Sequence, residues 1–313
     1  MKFWQKSILF VLTLVMMAYA GLGLAQAQTP NKLTLASAGL SLEKVGLGVY
    51  ALVSSTDFPP ADAAKIAICN GGIILSDEGT ILIDPFQNKA LGKLMLETAK
   101  SLSQGPIRYV INSHFHFDHT GGNAAIAAEN IPLIGRGQIR SLMLTRNKDR
   151  DPTLTPPSII IDNATSLWLG DRQIKIIPTE GHTPGTDVLI YVPDADILFT
   201  GDIVFNQRIP YVADGDIRKW QASLEELLQQ YPEAKIVPGH GSVSDRQIVV
   251  QQQAYFDNLE ELALGWKKAG ISQEQALKEA EKVPSQYSDY GFQALYSSNL
   301  ETAYQQITQA SGQ

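Results

Sequence analysis

Short apolar runs bounded by turn residues alternate with stretches of helical spacing along most of the chain. Between residues 33 and 53 the alternation is weak, with Leu40 and Leu42 followed by Val45, Leu47 and Val49, and it predicts short strands. Proline and aspartate make 54–65 a loop. Apolar runs at 66–76 and 80–85 are joined by Asp77-Glu78-Gly79, a hairpin signal. A helix is predicted over 89–102, where Leu91, Leu94, Met95 and Leu102 share one face. A strand at 107–111, a helix at 123–128 and a strand at 131–134 follow. The next helix, 137–147, turns Ile139, Leu142 and Met143 inward and Arg140 and Arg146 outward. The proline-rich 151–157 is an irregular connection suited to lining a substrate groove.

Further on, strands are predicted in pairs, 159–161 with 166–169 and 174–178 with 188–192, and then at 197–200. Asp216 caps a helix to 230 whose stripe is Ile217, Trp220, Leu224, Leu227 and Leu228. A brief strand at 236–237 precedes a long helix opening with the capping box Ser244-x-x-Gln247, in which Ile248, Tyr255, Leu259, Leu262 and Trp266 keep helical spacing. The tail from Ser272 holds a second Ser-x-x-Gln box and helix, a Tyr/Ser loop at 285–298, and a last helix from Leu300. This order predicts an α/β fold, a four-layer αβ/βα sandwich with two mixed sheets face to face and helices outside.

The first residues change the picture of where the chain works. Lys2 and Lys6, an apolar middle from Ile8 to Ala20 and the small-residue end Ala25-Gln26-Ala27 make 1–27 a secretory signal peptide. An uncleaved anchor needs about 18 to 20 apolar residues, and Gly21, Gly23 and the Ala-x-Ala end favour cleavage. The mature protein is therefore expected in the periplasm or secreted, with no membrane association after cleavage. Residues 28–270 are expected to form the main domain, with a C-terminal helical extension over 271–313 packed on it. Losing Lys2 and Lys6 takes the formal charge from −7 to −9. An acidic chain without a basic tract has no electrostatic reason to seek nucleic acid, so a small-molecule substrate is expected. Cys69 is the only cysteine, which excludes an internal disulfide, and it reads as a small buried hydrophobe.

Candidate chemistry concentrates in Ser113-His114-Phe115-His116-Phe117-Asp118-His119-Thr120-Gly121-Gly122, which holds three of the chain's five histidines and a carboxylate. Imidazole and carboxylate are the usual ligands of divalent zinc. Residues at i and i+2 of extended backbone project to one side, so His114 and His116 can grip one metal together. Asp118 and His119, where the backbone must leave the extended path before the Gly121-Gly122 turn, face a neighbouring position. One loop can thus serve two metals. His182 and His240 sit in Gly/Pro turns directly after apolar runs, and a third such turn, Phe199-Thr200-Gly201-Asp202, carries an acid.

The His-x-His-x-Asp-His of 114–119, Gly-His-Thr-Pro-Gly of 181–185, Thr-Gly-Asp of 200–202, Pro-Gly-His-Gly of 238–241 and Ile-Asp-Pro of 83–85, in this order, resemble the metallo-β-lactamase superfamily of metal-dependent hydrolases. The resemblance covers roughly residues 40–265. It implies a sandwich of the metallo-β-lactamase type, with the metal-bearing turns converging on one edge. It also implies that His114, His116 and His182 hold a first metal, that Asp118, His119 and His240 hold a second, and that Asp202 bridges them. Asp84 would orient a metal ligand from behind. The loop carrying Phe58 often overhangs the metals in that family, which makes Phe58 a candidate substrate contact. After Asp202, Asn206, Arg208 and Tyr211 are candidates too, and Arg208 is the only cation close in sequence to a metal ligand on that side.

The cofactors so implied are two zinc ions, and the hard carboxylate of Asp202 also admits iron or manganese. Zinc lowers the pKa of bound water from 15.7 to about 7 and two zinc ions can share the hydroxide, which makes hydroxide the nucleophile and leaves Asp118 to orient it or pass a proton. Zinc β-lactamases commonly carry Cys or Ser where this chain has Asp202, whereas hydroxyacylglutathione hydrolases and many lactonases and phosphodiesterases carry Asp. A recognisable glutathione-binding tail is missing. The expected activity is that of an exported dinuclear zinc hydrolase cleaving a carbonyl ester, thioester, lactone or cyclic amide (β-lactam-like) bond. The alternatives are a mononuclear iron enzyme similar to persulfide dioxygenases and a non-catalytic accessory protein of a periplasmic redox or sulfur pathway.

Overall fold

The computed structural model describes residues 32–150, 153–279 and 282–309. The leader expected over 1–27 lies outside the described residues. The strands of the first sheet are β1 (Leu40–Gly46), β2 (Val49–Ser54), β3 (Gly71–Ser76), β4 (Gly79–Ile83), β5 (Ile107–Ile111), β6 (Leu133–Arg136) and β7 (Ile159–Ile161). Those of the second are β8 (Thr165–Leu169), β9 (Arg172–Pro178), β10 (Val188–Val192), β11 (Ile197–Phe205) and β12 (Lys235–His240). The helices are α1 (Lys89–Leu102), α2 (Phe117–Thr120), α3 (Asn123–Ala127), α4 (Ile139–Arg146), α5 (Ile217–Gln230), α6 (Arg246–Ala269), α7 (Gln273–Glu279) and α8 (Tyr296–Gln309).

Both sheets are mixed. The first runs β1-β2-β3-β4-β5-β6-β7, antiparallel up to β4 and parallel beyond it. The second runs β12-β11-β10-β9-β8, with only the β11 to β12 pair parallel. The two-residue period of the strands sorts side chains into layers. On β4, Ile81 and Ile83 enter the core between the sheets while Leu82 faces the helix side, and on β11 Phe199 and Leu198 divide in the same way. Between the sheets Ile81, Ile111 and Ile134 meet Ile176, Ile190 and Phe199. Outside the first sheet, Leu91 and Met95 of α1 pack on Leu82 and Val110. Outside the second, Trp220 and Leu224 of α5, Phe256 and Leu259 of α6 and Leu300 of α8 pack on Leu198 and Ile236. The four αβ/βα layers are those the sequence order predicts.

Several boundaries differ from expectation, for identifiable reasons. The apolar stretch 66–70 is not part of β3. It leaves the ladder to reach the second sheet, where Asn70 donates from its backbone to Gly239 O at 2.7 Å and from its side chain to Pro238 O and Gly241 O at 2.8 Å each. β6 begins at Leu133 rather than at 131, after Pro132, which has no N–H to pair. β11 does not stop at 200. It continues through Gly201, at φ 49°, with a register shift against β12, so that Asp202 lies inside a strand. Asp245, not Ser244, caps α6, because Ser244 exchanges two backbone hydrogen bonds with Ile236. The second box is formed as expected, Gln275 Oε1 accepting from Ser272 N and Ser272 Oγ from Gln275 N. α8 starts at Tyr296, four residues before Leu300.

The histidine loop is set by two glycines. A Cβ on Gly122 would land on the carbonyl oxygen of Pro85, and one on Gly121 on that of Gln87. Gly122 N also donates to Phe86 O at 2.8 Å, which draws the loop against the end of β4. Substituting Gly122 with Ala should therefore lower unfolding free energy by about 3 kcal/mol, at the upper end of overpacking costs. Urea denaturation measures this, and a midpoint equal to that of the wild-type chain would show that the loop can move away.

Candidate metal centre

The ends of the parallel strands deliver the chemistry. Asp84 follows β4, and Ser113, His114 and His116 follow β5, its hydrogen-bonded neighbour. Asp202 lies in β11 and His240 ends the adjacent β12. His182 comes from the connection between β9 and β10, and Asp118 and His119 from the short α2 that the sequence pattern does not reveal.

Two groups result. His114, His116, His182 and Asp202 form one, and Asp118, His119 and His240 form the other, the potential ligand atoms of each lying within 4.8 Å of one another. Asp202 stands between them. Its Oδ2 is 3.3 Å from His182 Nε2 and 3.2 Å from His240 Nε2, and its Oδ1 is 3.0 Å from His119 Nε2.

Behind these atoms the opposite ring nitrogens are held. His119 Nδ1 donates to Asp84 Oδ2 at 2.8 Å, the arrangement expected of Asp84. Ser113 Oγ donates to the same carboxylate at 2.6 Å, and His114 Nδ1 lies 2.9 Å from that hydroxyl. His240 Nδ1 donates to Ile68 O at 3.1 Å. His116 Nε2 donates to Asp214 Oδ2 at 3.0 Å, and Asp214 is paired in turn with Arg146. Such outer partners fix tautomer and ring orientation.

On the inner side His182 Nε2 lies 2.9 Å from His116 Nδ1, but other atoms are left over. His114 Nε2, His119 Nε2 and Asp202 Oδ1 are buried without a hydrogen bond, as is His182 Nδ1. Each unsatisfied polar atom costs about 1 to 3 kcal/mol, and three of them converge where nitrogen and oxygen donors suit a divalent cation. The residues present therefore fit metal binding. Burial, helped by neighbouring imidazoles, holds His114 well below the ordinary imidazole range, and burial takes His182 down to about 3, so both are neutral, as ligation requires. Burial pushes Asp202 up, but His240, His119 and His114 outweigh it and hold the carboxyl well below its usual range. His119 is pushed down by burial yet ends well above its ordinary value because Cys69, Asp202, Asp118 and Asp84 surround it.

A pocket enclosing about 820 Å³, open solvent at its mouth included, lies over both groups. Phe58 and Tyr211 line it, with His116, Asp118, Asp202 and His240. Asn206 and Arg208 are not among its lining. Asn206 turns its amide to Ser242 O at 2.8 Å, and the Arg208 guanidinium packs over Phe292 at 5.8 Å while donating to Gln207 O. Nor do the described residues of 151–157 line it; Leu154 packs on Ile139 and Met143 instead. Arg146 is exposed as expected and also borders the pocket, where it pairs with Asp214. The sequence reading missed Asp214, Arg150, Phe292 and Leu295. Phe292 and Leu295 lie in the stretch 285–298 read as a Tyr/Ser loop of the tail, and Asp214, two residues before the helix cap Asp216, carries no signal of its own.

A family model described as the metallo-beta-lactamase superfamily matches residues 66–240. The chain belongs to this superfamily of hydrolases. It is similar to a metallo-beta-lactamase type 2 from Bacillus sp. (strain 170), 26% identical over 186 residues that cover 58% of this chain and 70% of the relative. It is also similar to an acyl-coenzyme A thioesterase of Homo sapiens, 27% identical over 154 residues, 42% of this chain and 54% of the relative. Among solved structures, a metallo-beta-lactamase from Pontibacter korlensis shares the fold with a TM-score of 0.61 at 24% identity, over 70% of this chain and 99% of that one.

Two outcomes are expected. Asp84→Ala and Asp214→Ala should each weaken metal binding about 10- to 100-fold, the usual effect of losing an outer partner, as read by competition with a chromogenic chelator. Unchanged affinity in both would show that the imidazoles are held without them. Because its acidic neighbours hold His119 well above its ordinary value in the metal-free chain, metal uptake near neutral pH should release a proton, and affinity should rise with pH. Calorimetry in buffers of different ionisation enthalpy counts the protons, and uptake without release would contradict a ligand role for His119.

Proposed function

We propose that this protein is an exported dinuclear zinc hydrolase cleaving a carbonyl ester, thioester, lactone or cyclic amide bond in a small organic substrate. One observation carries the reading: two potential ligand groups, joined at Asp202, open together onto the same aromatic-lined pocket. Similarity to relatives named as a β-lactamase and a thioesterase supports attack at an acyl carbon. Asp202, in place of the Cys or Ser common in zinc β-lactamases, weighs toward esters, thioesters and lactones. Imidazole and carboxylate donors suit zinc, with iron or manganese admissible. The leader over 1–27 supports export to the periplasm or beyond.

Bound zinc supplies Lewis acidity and water whose pKa falls to about 7. The chain's residues do the rest. His114, His116 and His182 would hold one ion and Asp118, His119 and His240 the other, with the ionised Asp202 between. Asp118 lines the pocket, and its Oδ2 lies 3.5 Å from both His119 Nε2 and His240 Nε2, so this carboxylate can accept a proton at the floor of the pocket. Phe58, Phe115, Phe117 and Phe292 give the space above an apolar lining. Cys69 offers no competing nucleophile: burial pushes its thiol up to about 12, and Sγ donates to Asp118 O at 3.0 Å. Three potential ligands in the second group favour this reading over the mononuclear iron enzyme, and the complete donor set favours it over an accessory role. Metal analysis with oxygen uptake separates the iron enzyme.

Metal-quantified protein should hydrolyse at least one member of a panel of thioesters, lactones, phosphodiesters and nitrocefin, the first two classes best. His116→Ala should abolish that turnover while circular dichroism shows an intact fold, and turnover equal to wild type would remove the mechanism. Asp202→Ala should lower the bound metal from two equivalents to about one, as expected when a ligand shared between two ions is lost. Two retained equivalents would show that it is no bridge.

A further inference from the structure

Two aromatic side chains outside the family-matched residues 66–240 meet at the pocket beside His240. The ring of Phe292 lies 5.8 Å from that of Phe58 and 5.0 Å from that of His240. A single atom fixes the pair. Asp57 Oδ1 accepts from Phe58 N at 2.8 Å and from Phe292 N at 2.6 Å, the latter 235 residues away from Asp57. Phe292 is held at φ 63°, a left-handed conformation rare for a bulky side chain and found where surrounding structure over-determines it. Here that structure is the pair of backbone hydrogen bonds linking Gly291 to Gln207 and Ile209, at 3.0 and 2.9 Å, with the Arg208 guanidinium over the ring. Phe292 is buried and Phe58 half-buried.

The lining contributed by α4 and the residues after it is cationic. Arg146 is matched by Asp214. Arg150 stacks on Phe117 at 5.0 Å, and no carboxylate among the described residues is paired with it. Phe117 lies between the potential ligands His116 and Asp118, so this charge is placed within reach of a substrate held at the two groups.

We propose that Phe58 and Phe292, fixed by Asp57, are the specificity wall of the site, and that its substrate is an amphiphilic organic anion. An aryl or branched apolar arm packs on the wall beside His240, and a carboxylate or equivalent anion reaches Arg150. This rests on the hydrolase reading for the reacting carbonyl between the two groups, but the recognition it describes is a matter of binding and is tested as such.

The zinc-loaded full chain is titrated calorimetrically with three thiols, whose sulfur gives a common anchor on zinc. These are 2-mercapto-3-phenylpropanoate with arm and anion, 2-phenylethanethiol with the arm alone, and mercaptoacetate with the anion alone. The first should bind at least about tenfold more tightly than either of the others, the size of one good anchor contact. Phe58→Ala and Phe292→Ala should each reduce the preference for the first thiol over mercaptoacetate about tenfold, and Arg150→Ala should reduce its preference over 2-phenylethanethiol to a similar degree. Asp57→Ala should act like the aromatic variants, while Asp57→Asn, whose amide oxygen still accepts, should restore most of the preference. Equal affinity of the wild-type chain for all three thiols overturns the proposal. A preference that survives both aromatic substitutions does so as well, and so does a uniform loss for all three thiols, since the wall would then be merely structural. Failure of the hydrolase reading shows separately, as a fully zinc-loaded protein that turns over no member of the ester panel while the binding ratios stay measurable.

Discussion

The structure depends on a buried carboxylate set among imidazoles. Asp202 is only 4% exposed, and His114, His119, His182 and His240 are no more open. Bringing such groups out of water is expensive, and attraction between partial or full charges offsets it only when geometry is good and the remaining donors are met. The outward ring nitrogens of His114, His116, His119 and His240 meet that condition, whereas on the inner side His114 Nε2, His119 Nε2 and Asp202 Oδ1 do not. The protein alone thus carries a local deficit that cations in the two groups would remove. Metal binding then stabilises the folded state by linkage, because the unfolded chain has no comparable site.

Placing such a cluster is the task of the sheets. Parallel pairing puts the ends of β4 and β5 side by side, so that Asp84 can hold Ser113 and His119 at once. The same relation between β11 and β12 sets His240 beside Asp202. Close approach completes the placement. A Cβ on Gly239 would fall on Asp202 Oδ1 and the backbone of Gly201, so only glycine leaves room for the carboxylate between the strands. Asn70 ties the two sheet edges together, accepting from Ser54 N while donating to Pro238 O and Gly241 O. Apolar layering holds the sheets face to face, and these few polar contacts fix how their edges align.

The layered architecture was legible because short apolar runs such as 80–83, buried on both faces, alternate with stretches of helical spacing such as 89–102. The convergence of the histidines was legible because each follows an apolar run, so topology had to bring the turns to strand ends. What stayed hidden depends on side-chain direction after a turn or on distant pairing. Arg208 is close in sequence to Asp202 but is drawn to Phe292, whereas Arg146, far away in sequence, reaches the pocket because α4 points its end there. Asp214 gains its meaning only from His116, which lies 98 residues earlier. Gly201 looked like a turn and is instead a kink within β11, since a glycine at positive φ can shift register without ending a strand.

Chemistry and recognition are carried by different parts of the chain. All seven potential metal-binding side chains, and Asp84 behind them, lie within the residues matched by the superfamily. Phe58 and Phe292 lie on either side of that segment and are joined through Asp57 and through the backbone of 207–209. None of the hydrogen bonds that orient the ligand atoms passes through Asp57, Phe58 or Phe292. Contact runs the other way only at His240, whose ring meets Phe292 edge to face. The C-terminal segment is thus more than a cover for α6: it closes the pocket on one side while the four layers hold the centre, which lets one reacting geometry serve whatever arm the wall admits.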